Sequence, residues 1–385
     1  MHATVGRPTR ETITARTRDL NIASFSDVHL GHPQTPTALI LANLKKAFPD
    51  TPETGELDLI FLGGDLFDAA LQYSSDLIRP IELWLYQFMS MCARRNIVLR
   101  VLEGTPSHDR GQSKHLMKIL SMTNLPLDFQ YIETISVEHI ESLGITVLYV
   151  PDFTSPDTDK IWHQVQTAMS EAGVTHVDYA NIHGAFTYQM PPMVHHACHV
   201  MERYLGIVRN YIFTGHIHLS SVYDRILSNG SHDRLAHGEE EDKGHWRAKI
   251  RTSGEDDFTF KVNTGAKIYR SIDCTGLDLD AAMEALSVVQ DLPLDSAVRI
   301  IAERGHPVHL SLSSVRKLYP HVLWTTKLVD IADAQKNLLV DLRETFQELT
   351  LTPENVKVLL LDRLRRKGID DALLARCETT LNDFV

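Results

Sequence analysis

Apolar and polar positions along the first two-thirds of the chain follow two alternating periods. Runs dense in β-branched and aromatic residues at 21–25, 57–62, 97–102, 145–150, 177–182 and 211–213 predict buried strands. Between them, apolar residues at helical spacing predict helices over 37–48, 75–95, 114–122, 159–172 and 194–208. Strands alternating with helices predict a layered α/β core, in which functional loops collect at the carboxyl ends of the strands.

The texture changes at 228–244, SNGSHDRLAHGEEEDKG, which is polar and glycine-containing and predicts a loop. The Glu239–Asp242 acidic run within it is expected to be solvated and carries no ligand role. Beyond it, strands are expected at 246–250, 258–262, 267–272 and 297–301, and helices at 279–287 and 311–318, which together form a small α+β unit. From residue 325 onward the chain reads as helical: Leu338, Leu339, Leu342 and Phe346 recur at helical spacing, as do Val358, Leu359, Leu361 and Leu364. The expected organisation is therefore a disordered N-terminus over 1–20, a core over 21–228, a linker and α+β unit over 229–320, and a helical C-terminal region over 321–385.

A chain of 385 residues has length for two or three domains, and 43% hydrophobic with 23% charged residues is ordinary for a globular protein. No apolar run approaches the ~18 residues of a membrane span, and the N-terminus lacks the apolar stretch of a secretory signal. Cys92, Cys198, Cys274 and Cys377 are scattered without a C-x-x-C pair. That argues for reduced thiols in the cytoplasm and against thiolate-bound zinc. A net charge of −12 does not announce a nucleic-acid binder, since phosphate affinity normally comes from a basic face. Any such binding must come from a local patch, from metals, or from a partner subunit.

Candidate chemistry lies at the predicted strand ends, in ordered segments: Asp27-Val-His29, Gly63-Gly-Asp65, Ser107-His108-Asp109, His183-Gly184 and Gly215-His216-Ile-His218. Asp27 with His29, and His216 with His218, place pairs of donors on alternate positions and hence on one side of an extended chain. Asp65, behind two glycines that permit a sharp turn, can bridge two cations. Imidazole with carboxylate suits Mn, Fe or Zn better than Ca or Mg, and two such ions about 3.5–4 Å apart clamp a phosphoryl oxygen. His108 is placed to protonate a leaving oxygen or to stabilise the transition state. Arg110 and Lys114 are candidates for phosphate contact. His195, His196 and His199 fall on a helical pattern and are expected to be surface or satisfied histidines rather than a third metal site.

The ordered set resembles the calcineurin-like metallophosphoesterase superfamily, whose pattern is D-x-H, G-D, G-N-H-[DE], H and G-H-x-H. The resemblance implies a four-layer α/β/β/α sandwich and two divalent metals, with manganese the expected ion. It places the first metal on Asp27, His29, Asp65 and His218, and the second on Asp65, His183 and His216. The segment after Gly-His-x-His, with Gly230-Ser231, Arg234, Gly238-Glu239 and Lys243-Gly244, resembles the SbcD/Mre11 nuclease family, as does Gly64-Asp-Leu-Phe67. That family implies a DNA exonuclease or endonuclease of repair or recombination, hydrolysing phosphodiester bonds with a metal-activated water. It also implies a capping domain within 229–320, C-terminal helices that dock onto an SbcC/Rad50-like ATPase, and a homodimer without membrane attachment. From the residues alone, those C-terminal helices read equally as a small bundle.

Two positions depart from the family pattern. Ser107 stands in the Asn position of the third motif, so the second metal would take a serine hydroxyl, a water or Thr105 instead of an amide oxygen. Asp68 stands where cellular members carry a phosphate-orienting His, and a carboxylate there repels phosphate unless a metal or Arg engages it. These departures keep two other functions open: a phosphatase or small-substrate phosphodiesterase on the same core, and a non-catalytic scaffold.

Overall fold

The computed structural model describes residues 5–9, 16–72, 74–152, 157–190 and 198–329. Two mixed six-stranded sheets flanked by helices dominate it. The strands are β1 (Leu20–Phe25), β2 (Leu59–Leu62), β3 (Val98–Leu102), β4 (Phe129–Ile132), β5 (Ser136–Ile140), β6 (Ile145–Val150), β7 (Val177–His183), β8 (Val208–Gly215), β9 (Ser221–Tyr223), β10 (Ile226–Ser228), β11 (Gly244–Ile250) and β12 (Asp257–Val262). The first sheet runs β12-β11-β1-β2-β3-β4 and the second β5-β6-β7-β8-β10-β9. β1 to β4 are mutually parallel, and so are β6, β7, β8 and β10, so their carboxyl ends gather the loops that follow them. β11 returns antiparallel beside β1, pairing Trp246 with Ser24 and Ala248 with Ile22.

Helices α1 (Thr37–Ala47), α2 (Pro52–Gly55), α3 (Ile78–Arg95) and α4 (Lys114–Thr123) lie in the sequence of the first sheet, and α5 (Thr158–Glu171) and α6 (Met201–Ile207) in that of the second. The long helix α3 buries Ile81, Trp84, Leu85, Phe88 and Met89, a continuous stripe at helical spacing. Pro80 falls in its first turn, where no N–H is required, and Asn96 ends it in the left-handed region at φ 54°. α5 begins on Asp157, whose carboxylate accepts from the Lys160 N–H at 3.0 Å. One apolar cluster joins α1 and α3 to one face of the first sheet through Phe25, Ile40, Leu44 and Leu62. A second joins residues of both sheets, among them Ile22, Phe61, Tyr149, Tyr179 and Phe213, and a third holds α5 and α6 against the second sheet.

A three-stranded sheet, β13 (Tyr269–Asp273), β14 (Ser296–Glu303) and β15 (Val322–Val329), follows in the order β13-β14-β15. The remaining helices are α7 (Leu279–Leu286), α8 (Pro307–Leu310) and α9 (Leu312–Leu318). The described residues divide into two compact units, the first those up to Ser271 with Val289–Arg299 and Tyr319–Trp324, the second Ile272–Val288, Ile300–Leu318 and 325–329. Within the second unit, Asp278 caps α7 by accepting from the Ala281 N–H, and His306 accepts from the Val308 N–H while donating to the Leu277 carbonyl.

Several expectations change. β11 and β12, which the sequence pattern assigns to the α+β unit, complete the first sheet. Residues 322–329 form a strand where the sequence pattern puts helix, because Val322-Leu-Trp-Thr-Thr-Lys-Leu-Val329 is rich in β-branched residues. The rest of the helical region, 330–385, lies outside the described residues. Arg16, within the segment expected to be disordered, is held: its guanidinium donates to both Asp256 carboxylate oxygens at 2.7 Å and to Asn210. Strands β4, β5, β9 and β10 go beyond the expected set; β9 and β10, three residues each, are too short to show a period. Among the described residues no helix is long and apolar enough to cross a membrane.

Candidate metal centre

Five parallel strands deliver the side chains. β1 is followed by Asp27 and His29, β2 by Gly63, Gly64 and Asp65, and β3 by Gly104 and Thr105; β7 ends on His183, and β8 leads into His216 and His218. Four of these residues hold left-handed backbone: Asp27 (φ 51°), His29 (φ 53°), Asp65 (φ 52°) and His216 (φ 94°). Such conformations in non-glycine residues cost about 1–3 kcal/mol each and persist where surrounding bonds dictate them. Here the Asp27 N–H donates to the Gly64 carbonyl at 3.0 Å and the His29 N–H to the Asp65 carbonyl at 3.1 Å. The His216 N–H donates to the Asp27 carboxylate at 3.0 Å. Gly64, at φ 94°, and Gly104 let these loops close: a Cβ on the first would strike the His183 ring, and one on the second the Asp65 backbone.

Two clusters gather the expected donors, Asp27 with His29 and His218, and Asp65 with His183 and His216, the ligand atoms of each lying within 4.8 Å of one another; His29 with Asp68 and His108 forms a third such group. Asp65 Oδ2 stands 3.4 Å from His183 Nε2 and 3.8 Å from His29 Nε2, between the two groups. The imidazoles are oriented from behind. His183 Nδ1 donates to the Gly63 carbonyl at 2.6 Å. His218 Nδ1 faces Glu239 at 2.8 Å and His29 Nδ1 faces Asp68 at 3.1 Å. With Nδ1 committed, the Nε2 atoms of His29 and His218 are left facing each other at 3.2 Å. Two lone pairs at that distance repel unless a proton or a cation lies between them.

The electrostatics agree. Burial alone would push the His183 imidazole down, but the Asp65 carboxylate drives it up to about 10. Burial alone would raise the Asp65 carboxyl, but His183 and His29 hold it well below the ordinary carboxylate range. His218 is likewise raised against its burial by Glu239 and Asp27, whereas burial and the neighbouring His183 lower His216. His183 and His218 hold protons tightly because ionised carboxylates face them, and a cation bound at those carboxylates would displace the protons. These buried His and Asp clusters can hold a metal ion.

The resemblance leaves Ser107, a water or Thr105 for the second metal; the Ser107 residue is exposed, and it is Thr105 that lies against the second cluster. Thr105 Oγ1 stands 3.1 Å from Asp65 Oδ2, 3.3 Å from His183 Nε2 and 3.4 Å from His216 Nδ1. The hydroxyl that follows Gly104 directly is carried inward by β3, whereas Ser107 falls on the outside of the ensuing turn. His108 stands beside the first cluster, its ring 4.8 Å from that of His29, and its Nδ1 donates to the Asp68 carbonyl at 2.7 Å. The two cations nominated for phosphate are engaged elsewhere. Arg110 Nε donates to the Ser107 carbonyl, and exposed Lys114 pairs with Glu133 at 2.7 Å.

Asp68 and Glu239 differ from expectation, the one being a phosphate-facing carboxylate by sequence and the other part of a solvated loop. Each is a carboxylate behind a first-cluster histidine. Glu239 also accepts from the Leu235 N–H at 3.0 Å and meets buried Lys243 at 3.3 Å. Burial would raise its carboxyl, but His218 and Lys243 bring it down to about 2. Lys243 Nζ in turn donates to the His218 carbonyl at 2.8 Å. Carboxylates in this position fix ring orientation and strengthen the ligand, and losing one typically lowers metal affinity 10–100-fold. Asp68→Ala and Glu239→Ala should each weaken Mn2+ binding at the first cluster by about that factor, 10–100-fold, in a calorimetric titration. Equal affinities in wild type and both variants would show that the histidines need no support.

His199, expected on a helix, precedes α6 and is buried, its Nδ1 3.0 Å from the Tyr204 hydroxyl. His195 and His196 lie outside the described residues. Burial, helped by His216, lowers the His199 imidazole to about 4. The unfolded chain takes up this proton near pH 6.5, while the folded chain resists it until about pH 4. Its contribution to stability is thus complete above pH 6.5 and lost as pH falls through 4, on the order of 3 kcal/mol in all. Urea denaturation of His199→Phe should show a shallower acid-side decline across that window; an unchanged slope would remove His199 from the account.

No known family matches the chain, and no curated protein does. Among solved structures, the chain is similar to the crystal structure of TT1561 of Thermus thermophilus, at 9% identity and TM-score 0.37, over 63% of this chain and 98% of that one. A second solved structure, at 8% identity and TM-score 0.38, is covered over 99% of its length by 63% of this chain. At these values neither likeness bears on what the chain does.

Proposed function

We propose that this chain is a two-metal, manganese-using DNA phosphodiesterase of the SbcD/Mre11 type, built on a four-layer α/β/β/α metallophosphoesterase core. The observation that carries the reading is the convergence of Asp27, His29 and His218 with Asp65, His183 and His216, joined by the Asp65 carboxylate. When bound, two divalent ions at such clusters polarise a phosphoryl oxygen and lower the pKa of a water. The chain's own part is to hold that geometry. Asp65 spans the clusters, Thr105 adds a hydroxyl to the second, and Asp68 and Glu239 keep His29 and His218 in the tautomer that presents Nε2. His108, with Nδ1 donating to the Asp68 carbonyl, has Nε2 left to hold a proton for the leaving oxygen.

DNA as substrate rests on the likeness of residues 230–244 to the nuclease family, as do a capping role for the later α+β elements, homodimerisation and an SbcC/Rad50-like ATPase partner for the C-terminal region. A small phosphodiester on the same core is the second reading. It is favoured by the net charge of −12, which offers a long polyanion little attraction. End-labelled single- and double-stranded DNA and a chromogenic small diester, each incubated with Mn2+, separate the two. Cleavage of DNA, lost in His108→Ala with metal binding intact, supports the nuclease. Turnover of the small diester alone selects the second reading, and inertness toward both with two metals bound refutes catalysis by the isolated chain.

A further inference from the structure

Away from the metal clusters, within the first unit, a cavity of about 220 Å³ opens beside β11 and β12. Arg247 of β11 is on its lining. Only two of its five N–H donors are used among the described residues: Nε donates to His245 Nε2 at 2.9 Å and Nη2 to the Ala47 carbonyl at 3.2 Å. The guanidinium lies 5.0 Å from the centre of the Phe48 ring, and no carboxylate reaches it within ion-pair distance among the described residues. Burial brings its pKa down to about 10, with Glu53 the opposing charge. Glu53, on the cavity lining, is itself engaged by Lys261 at 3.2 Å. His232 also lines the cavity and is fully buried; its Nδ1 faces Asp233 at 3.3 Å, and its Nε2 meets no hydrogen-bond partner.

A partly buried cation without an anion is costly, and so is a buried imidazole nitrogen without a partner. Both groups line the same cavity. Arg247, Lys261 and Lys46 outnumber Glu53 on the lining, which disfavours a metal ion. A tetrahedral oxyanion accepts from the free guanidinium donors in the forked geometry arginine offers. His232 lies on the same lining, and its Nε2, which has no other partner, can accept from a P–OH group.

We infer that this cavity is a second, metal-independent binding site for a phosphate group, held by Arg247 and His232 and rimmed by Lys261. The phosphate is either free or part of a nucleic-acid backbone. The test is calorimetric titration of the chelator-treated full chain with inorganic phosphate at low ionic strength, repeated in Arg247→Gln, Lys261→Gln and Asp65→Asn. One phosphate per wild-type chain is expected, with affinity lowered at least tenfold in Arg247→Gln, several-fold in exposed Lys261→Gln, and unchanged in Asp65→Asn. Lys261→Gln keeps the question answerable if Arg247→Gln fails to fold. No phosphate binding at millimolar concentrations, affinity indifferent to Arg247 and Lys261, or loss in Asp65→Asn alone overturns the site; in the first two cases Arg247 serves only the end of α1. Competition by a single-stranded oligonucleotide identifies backbone phosphate as the ligand, and its absence identifies free phosphate. The readout is binding without metal, so it stands whether or not the chain cleaves DNA.

Discussion

On the proposed two-metal reading, Asp65→Ala is expected to abolish metal-dependent phosphodiester cleavage and to reduce bound Mn2+ from two ions per chain to at most one. Its carboxylate is the only one within 4 Å of imidazoles from both clusters among the described residues, so its loss opens both at once. Metal polarisation of a phosphoryl group is worth several kcal/mol of transition-state stabilisation, and about 4 kcal/mol is a factor of about 10³ in rate. Asp65→Asn keeps one neutral oxygen and should retain residual Mn2+ affinity without recovering the rate. Metal counting by mass spectrometry of dialysed protein, alongside single-turnover kinetics, checks both halves. Two ions bound with rate intact would remove Asp65 from its bridging place.

Asp109→Ala should be the most destabilising single change near the site, by about 3–5 kcal/mol in urea denaturation. The Asp109 carboxylate is fully buried and ties two loops together: it accepts from the backbone N–H groups of Asp65, Phe67 and Gly104 at 3.1, 2.9 and 2.8 Å. Removing it leaves three buried donors unpaired, each costing about 1–3 kcal/mol. Burial and the nearby Asp65 push its carboxyl up to about 7, a sign of how strained a second negative charge is there. Asp109→Asn retains one acceptor oxygen and should lose less. A midpoint within experimental error of wild type for Asp109→Ala would mean that the loop folds without this tie.

The six donors are legible in the sequence because Asp and His are hard to bury and here they end apolar runs. β1, β2, β7 and β8 are legible for the same reason. What surrounds the donors is not. Asp68 lies 39 residues from His29 and Glu239 lies 21 from His218, so each partnership exists only once the sheets have closed. Glu239 sits in an acidic run that reads as solvent-facing, and its place after Gly238 in the family-like segment does not tell that it faces a histidine. Thr105 and Ser107 differ by two positions, and counting back from His108 leaves both open, whereas only Thr105 lies against the second cluster. The direction in which β3 leaves the sheet decides that question, and spacing carries no record of it. The displacement of β11 and β12 from the later α+β unit into the first sheet has the same origin, because register with β1 is a long-range fact.

That register also sets an order of events for a chain emerging from the ribosome. By residue 218 every one of the six donors has been made, and β1, β2, β3, β7 and β8 are all present. Yet β1 still lacks the neighbour it will share with Ala248 and Trp246, and His218 still lacks Glu239 and Lys243. Pairing across more than two hundred residues is slow relative to local folding. A nascent or prematurely terminated chain therefore carries the donors without the architecture that aims them. Assembly of the centre waits on residues 239–250, made after all six donors.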